Sequence, residues 1–148
     1  MDGLSILAKF PIMVFAMKDS RVEAWEGRLR DIFNRIDDYL EEKYGGKYPL
    51  HPARSPRGAT SSKEHDGLFN VGASFSAGFG SEYGPGYVVE VRMVTLTRVP
   101  YYLRARIEEE VVDLLKEELP KHFPGRDLKV ARDGQVYKIF GDLSLGKL

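Results

Sequence analysis

The chain has 148 residues, enough for one domain with a proper core. Its 22 basic and 22 acidic residues cancel to a formal net charge of zero, which argues against a general attraction to nucleic acid or anionic membrane and leaves only local patches. With no cysteine in the sequence, disulfides, thiolate nucleophiles and cysteine-ligated zinc are excluded, and the composition fits a cytoplasmic protein.

Leu4 to Met17 is mostly apolar, but Lys9 and Pro11 interrupt it and it is too short to span a bilayer. Asp2 stands where a secretory signal would carry positive charge, and no small-residue cleavage site follows. The stretch is therefore expected to belong to the fold, with no membrane partner. Met1–Phe10 reads as a short helix or an arm. Ile12–Met17 shows no alternation, which suits a strand buried on both faces.

Ser20 and Glu23 have the spacing of a capping box, in which the hydroxyl and the carboxylate each accept from the other residue's amide. Behind them Val22, Trp25, Leu29, Ile32, Ile36 and Tyr39 recur at alternating threes and fours. Phe33 and Leu40 widen this stripe. The spacing predicts a helix laid on a sheet, with Arg, Asp and Glu on its solvent side and Gly45-Gly46 closing it. A long irregular loop is expected over 45–68, since it contains prolines and follows neither a helical nor a strand period.

Phe69–Phe79 alternates: the odd positions are apolar and the even ones small. With Gly80–Gly86 as the turn and Tyr87–Thr97 as the return arm, it reads as a hairpin. Phe79 is expected opposite Tyr87, so that odd residues share the inward face. A one-residue slip would bring Glu90 and Arg92 onto that face, at a cost of several kcal/mol by rough estimate. Pro100–Leu119 reads as a second helix with an apolar stripe through Leu103, Ile107, Val111, Leu114, Leu115 and Leu119, stopped by Pro120. Asp133-Gly134 between Leu128–Arg132 and Gln135–Phe140 predicts a second hairpin, with Val130 opposite Tyr137 and Leu128 opposite Ile139. Gly141–Leu148 reads as an irregular tail.

This order predicts a single α+β domain over 1–148, a two-layer α/β sandwich with a mainly antiparallel sheet. Its topology is read as ferredoxin-like βαββαβ with an extra C-terminal strand. Ile12–Met17 and Val88–Leu96 would be the central strands and Phe69–Phe79 an edge. The helices would lie over Phe75, Val91 and Val130. The alternative is an αββαββ sandwich with the N-terminal run as a helix.

The sequence does not define a catalytic site. Walker loops, nucleophile elbows and dinucleotide fingerprints are missing. No cofactor is implied. His51 and His65 with Asp66 match no metal-ligand spacing, so no metal site is assigned. Glu108-Glu109-Glu110 point in different directions on a helix and read as a solvated face. The pattern by which RNA-binding domains stack bases on an open sheet is not met, because Pro85-Gly86-Tyr87 supplies only the glycine and one aromatic.

Two candidate surfaces remain. The loop gathers His51, Arg54, Arg57, Thr60 and His65, donors suited to a phosphate or carboxylate. The small-residue face of the hairpin, with Ser74, Ser76, Glu90 and Arg92, is expected to be covered by the N-terminal arm, by the long loop, or by a second copy of the chain in a homodimer. The favoured reading is a binding and assembly domain that self-associates through its sheet, its basic loop taking an anionic small molecule, peptide or nucleic acid. The alternative is a small hydrolase or transferase acting on a phosphorylated or carboxylated substrate, with His51, Arg54, Arg57, His65 and Asp66 around the site.

Overall fold

A computed structural model describes residues 20–60, 63 and 65–143. Residues 30–143 form one compact unit. The element order is α1 (Ser20–Tyr44), β1 (Phe69–Ser76), β2 (Gly86–Met93), α2 (Tyr101–His122), β3 (Leu128–Asp133) and β4 (Val136–Gly141). Among the described residues the architecture is α+β, with two helices and one four-stranded antiparallel sheet.

The sheet order is β1-β2-β4-β3. This does not confirm the expected ferredoxin-like arrangement. There, β2 would have the run Ile12–Met17 beside it, but β4 takes that side, pairing Tyr87–Val89 with Tyr137–Ile139. The two hairpins each close locally and then pair with one another, so the described elements run αββαββ. The run at 4–17 lies outside the described residues, and so does the tail beyond Leu143.

In α1 the stripe is buried at Ile32, Phe33, Ile36 and Leu40, and at Trp25 and Leu29 nearer its start, whereas Tyr39 is exposed. The helix ends as its glycines predict, with the Gly45 amide donating to the Glu41 carbonyl. In α2, Ile107, Val111, Val112, Leu115 and Leu119 are buried. Pro120 does not stop this helix, which continues to His122. The missing amide costs little in a last turn, and the Phe123 amide still donates to the Leu119 carbonyl. The helices meet where Glu110 of α2 accepts from the Tyr44 hydroxyl (2.9 Å) and Lys43 (3.0 Å) of α1.

The first hairpin keeps the expected parity but not the expected length. Phe75, not Phe79, faces Tyr87, because β1 ends at Ser76 and a longer loop follows. Phe75 is therefore not a core residue beneath the helices; it is 59% exposed, and Phe79 is 96% exposed. Gly78 in this loop has φ 79°, and a Cβ there would collide with the Gly84 carbonyl, so only glycine fits. The second hairpin turns at Gly134-Gln135 rather than Asp133-Gly134. Val130 faces Ile139 and Arg132 faces Tyr137. A shift of two residues preserves the side that each residue faces, and Val130 and Ile139 are both buried.

Candidate functional site

The described residues of the 45–68 loop are fastened by charge. Asp37, Asp38 and Glu41 lie in the last turns of α1, and one helical turn places Asp37 and Glu41 on one side. Arg57 reaches this turn: its Nη1 is 2.7 Å from Asp37 Oδ1 and its Nη2 donates to Asp38 Oδ1 at 2.5 Å. Lys63 adds a second cation at Asp38 Oδ1, 2.7 Å away. Glu41 Oε2 accepts from the Phe69 amide at 2.8 Å, tying α1 to the start of β1.

Asp66 is the centre of the loop. Its buried carboxylate accepts from the Gly58 amide (3.1 Å), the Thr60 amide (3.3 Å) and the Thr60 hydroxyl (3.2 Å), with Arg57 Nη1 at 3.5 Å. Burial pushes this carboxyl up, but the amides, the hydroxyl and the guanidinium outweigh it and hold the group below the usual carboxylate range. Asp37 behaves in the opposite way. Burial is its largest influence and raises it from 3.8 to about 7; the Arg57 charge opposes that rise, while Glu41 and Asp38 add to it.

The structure brings Arg57 and Thr60 together on Asp66. It sends Arg54 elsewhere: that guanidinium donates to the carbonyls of Gly67 (2.9 Å), Asp66 (3.0 Å) and Phe69 (2.8 Å). His51 sits at the far end of β2, its amide donating to the Val94 carbonyl and its Nδ1 accepting from the Ala53 amide, each at 3.0 Å. His65 is exposed. Among the described residues, no group of three or more acidic or histidine side chains is placed to hold a metal ion. Sequence reasoning missed Asp37, which it left on the solvated side of the helix. Its spacing was the available signal: four residues after Phe33 and three before Leu40 falls on the buried stripe itself.

On the sheet, Ser74, Glu90 and Arg92 are exposed, and Ser76 is half-buried with its hydroxyl accepting from the Gly78 amide at 3.1 Å. The loop that folds onto this face is 77–85. Its anchor is Lys138 of β4, which is buried and opposite both Val88 and Ala131. Lys138 Nζ donates to the Ser81 hydroxyl (3.0 Å) and the Gly84 carbonyl (2.9 Å) and pairs with Asp133 (2.9 Å). Asp133 also accepts from the amides of Glu82 and Tyr83, at 3.2 and 3.4 Å. Lys138 first, then these amides, hold the Asp133 carboxyl below its usual range. The Tyr83 ring stacks on Phe140, with centroids 4.3 Å apart. No sequence motif marks this latch: Lys138 falls on the outward face, between the inward residues Tyr137 and Ile139.

A family described as "Uncharacterised protein" matches residues 20–141, from the first residue of α1 to the last of β4. The chain belongs to this family. It is also 34% identical over 125 residues to an uncharacterised protein of Borreliella burgdorferi, covering 84% of this chain and 98% of that one. No solved structure matches the chain. Among the described residues no helix is long and apolar enough to cross a membrane.

Proposed function

We propose that this chain is a binding and assembly domain that self-associates through the outer edge of β1. The observation that carries this reading is the character of that edge. Among the described residues β1 is an outer strand of the sheet, and from Phe69 to Gly80 it and the following loop contain no charge and no proline. Outer strands are ordinarily blunted by such residues, because a row of unpaired backbone groups invites another strand. Phe75 and Phe79 stand exposed beside it. Two copies related by a twofold axis would lay β1 antiparallel to β1 in a self-matching contact without like-charge repulsion. Arg54 and Arg57 support this reading over an anion site in the 45–68 loop, since both guanidiniums are already met by the chain's own carboxylates and carbonyls. A hydrolase or transferase around His51, Arg54, Arg57, His65 and Asp66 draws no support from an acid as enclosed as Asp66.

Sedimentation equilibrium at micromolar concentration tests the proposal. The native chain should give twice the monomer mass, and Ser74→Lys, a charge placed on exposed β1, should give the monomer mass. A monomeric native chain would sink the idea.

A further inference from the structure

The ladder between β1 and β2 stops short of its own pattern. β1 ends at Ser76, opposite Gly86, yet the apolar alternation continues at Ala77 and Phe79. In the observed register Ala77 would next face Pro85, and Gly78 would face Gly84. The Val94 amide donates to the Leu68 carbonyl at 2.7 Å, which makes these two residues a hydrogen-bonded pair. Such pairs alternate along an antiparallel ladder, so Ser76 with Gly86 is another and Gly78 with Gly84 would be the next. Pro85 falls at the position between them, where amides turn away from the partner strand, so its missing N–H is no obstacle.

Gly78 and Gly84 already touch: a Cβ on Gly78 would lie 2.0 Å from the Gly84 carbonyl oxygen. Each group that a rung between them needs is nevertheless taken. The Gly78 amide donates to the Ser76 hydroxyl at 3.1 Å. The Gly78 carbonyl accepts from the Ser81 hydroxyl (2.9 Å) and the Ser81 amide (3.0 Å). The Gly84 amide donates to the same hydroxyl at 3.1 Å, and the Gly84 carbonyl accepts from Lys138 at 2.9 Å. Lys138 in turn donates to the Ser81 hydroxyl at 3.0 Å. Gly78 and Gly84 stand at φ 79° and 74°, a region that a rung would require them to leave. Glycine populates both regions about as readily, so neither residue resists the change.

We propose that Ser81 and Lys138 form a strand terminator that gates the length of the first hairpin. With both in place β1 ends at Ser76. Once they withdraw, Gly78 and Gly84 close the next rung, β1 gains Ala77 and Gly78, and β2 gains Pro85 and Gly84. The rung offers two backbone hydrogen bonds, fewer than the terminator makes, so the native chain keeps the short strands. A buried ion pair such as Lys138 with Asp133 suits this role, since its best use is to fix which of two arrangements forms. The gate acts within one hairpin and does not depend on what lies against the outer side of β1. Where β1 self-associates it sets the length of the contact, and that consequence alone rests on the proposed function.

Scalar couplings across hydrogen bonds, read by NMR on the full chain, test the gate, because they detect an N–H···O=C bond directly. The native chain should show no coupling between Gly78 and Gly84 in either direction. Ser81→Ala frees the Gly84 amide, and coupling from its nitrogen to the Gly78 carbonyl should appear. Lys138→Met with Asp133→Leu frees the Gly84 carbonyl, and coupling from the Gly78 nitrogen should appear there instead. Ser81→Thr keeps the hydroxyl and should match the native chain. Either coupling in the native chain overturns the proposal, since the rung would already be closed. So does a folded Ser81→Ala chain, or a folded Lys138→Met/Asp133→Leu chain, that lacks its coupling, because the loop would then have loosened without zipping. Repeating the set on Ser74→Lys separates the gate from self-association: the couplings should appear there too, and their loss would overturn the proposal.

Discussion

The loop over residues 45–68 and the loop over residues 77–85 are both held down by buried carboxylates, but their charges balance differently. In the shorter loop one cation, Lys138, meets one anion, Asp133, and the remaining oxygens and protons of the pair are taken up by Glu82, Tyr83, Ser81 and Gly84. The longer loop makes a single guanidinium, Arg57, serve Asp37, Asp38 and Asp66. Asp66 is settled by amides and Asp38 by Lys63, so the shortfall falls on Asp37. The acid with a dedicated counter-ion is held ionised, whereas Asp37, whose burial outweighs its part of the Arg57 charge, is pushed up to about 7. How many partners a buried carboxylate has to itself decides whether it locks a loop or titrates beneath it.

Breaking the one-to-one pair should cost most. Lys138→Met removes the cation and leaves Asp133 enclosed without its counter-ion, so Tm should fall by on the order of 10 °C, read by calorimetry. Adding Asp133→Leu should recover a large part of that loss, because an apolar pair of similar size replaces the ions without stranding either. A double variant no better than Lys138→Met would mean that the latch acts through the loop amides alone. Asp66→Asn comes next. Gly58 and Thr60 both donate to Oδ2, so an amide oxygen kept there turns its NH2 toward the Arg57 guanidinium at the other position and removes the charge that helps hold it. The expected loss is about 2 kcal/mol in a denaturant titration. Hydrogen exchange should show the loosening confined to the 45–68 loop.

Asp37 gives a smaller effect with a distinct pH signature. In the unfolded chain it ionises near 3.8, while in the folded chain it keeps its proton to about 7. Between those values the folded state binds more protons, so this residue's contribution to stability falls as pH rises and is lowest above pH 7. Asp37→Asn does not titrate, so the stability difference between variant and native chain should move in the variant's favour from pH 4 to pH 7. Even one pH unit of displacement is worth ~1.4 kcal/mol. A difference that stays flat over that range would place the charge of Asp37 fully on Arg57.

The faces of the strands were legible because side chains alternate, and a register shift of two residues preserves the alternation. Val130 and Ile139 therefore reach the core despite the displaced turn. Where β1 stops was not legible. Phe75, Ala77 and Phe79 continue the pattern, and the loop's end is set by Gly78 against Gly84 and by Lys138 some sixty residues on. The sheet order was not legible for a related reason: local burial patterns do not say which hairpin a central strand joins. At the loop, the donors Arg54, Arg57 and Thr60 could be read directly. Their acceptors include backbone carbonyls and a helix acid on the apolar stripe, which only the folded chain brings near.

The smallest change in stability should come from the tip of the shorter loop. Phe79 is 96% exposed, so Phe79→Ser removes almost no buried surface and should leave the denaturation midpoint within about 0.5 kcal/mol of the native chain. That neutrality makes it a clean probe. The latch fixes the loop without using this ring, so a side chain so exposed is free to make contacts between molecules. If β1 edges pair across a twofold axis, Phe79 lies beside the contact, and Phe79→Ser should shift sedimentation toward monomer while the fold is untouched. An unchanged dimer would confine the contact to the strand backbone and Phe75. An unfolded variant would show that the ring is tied to its own chain after all.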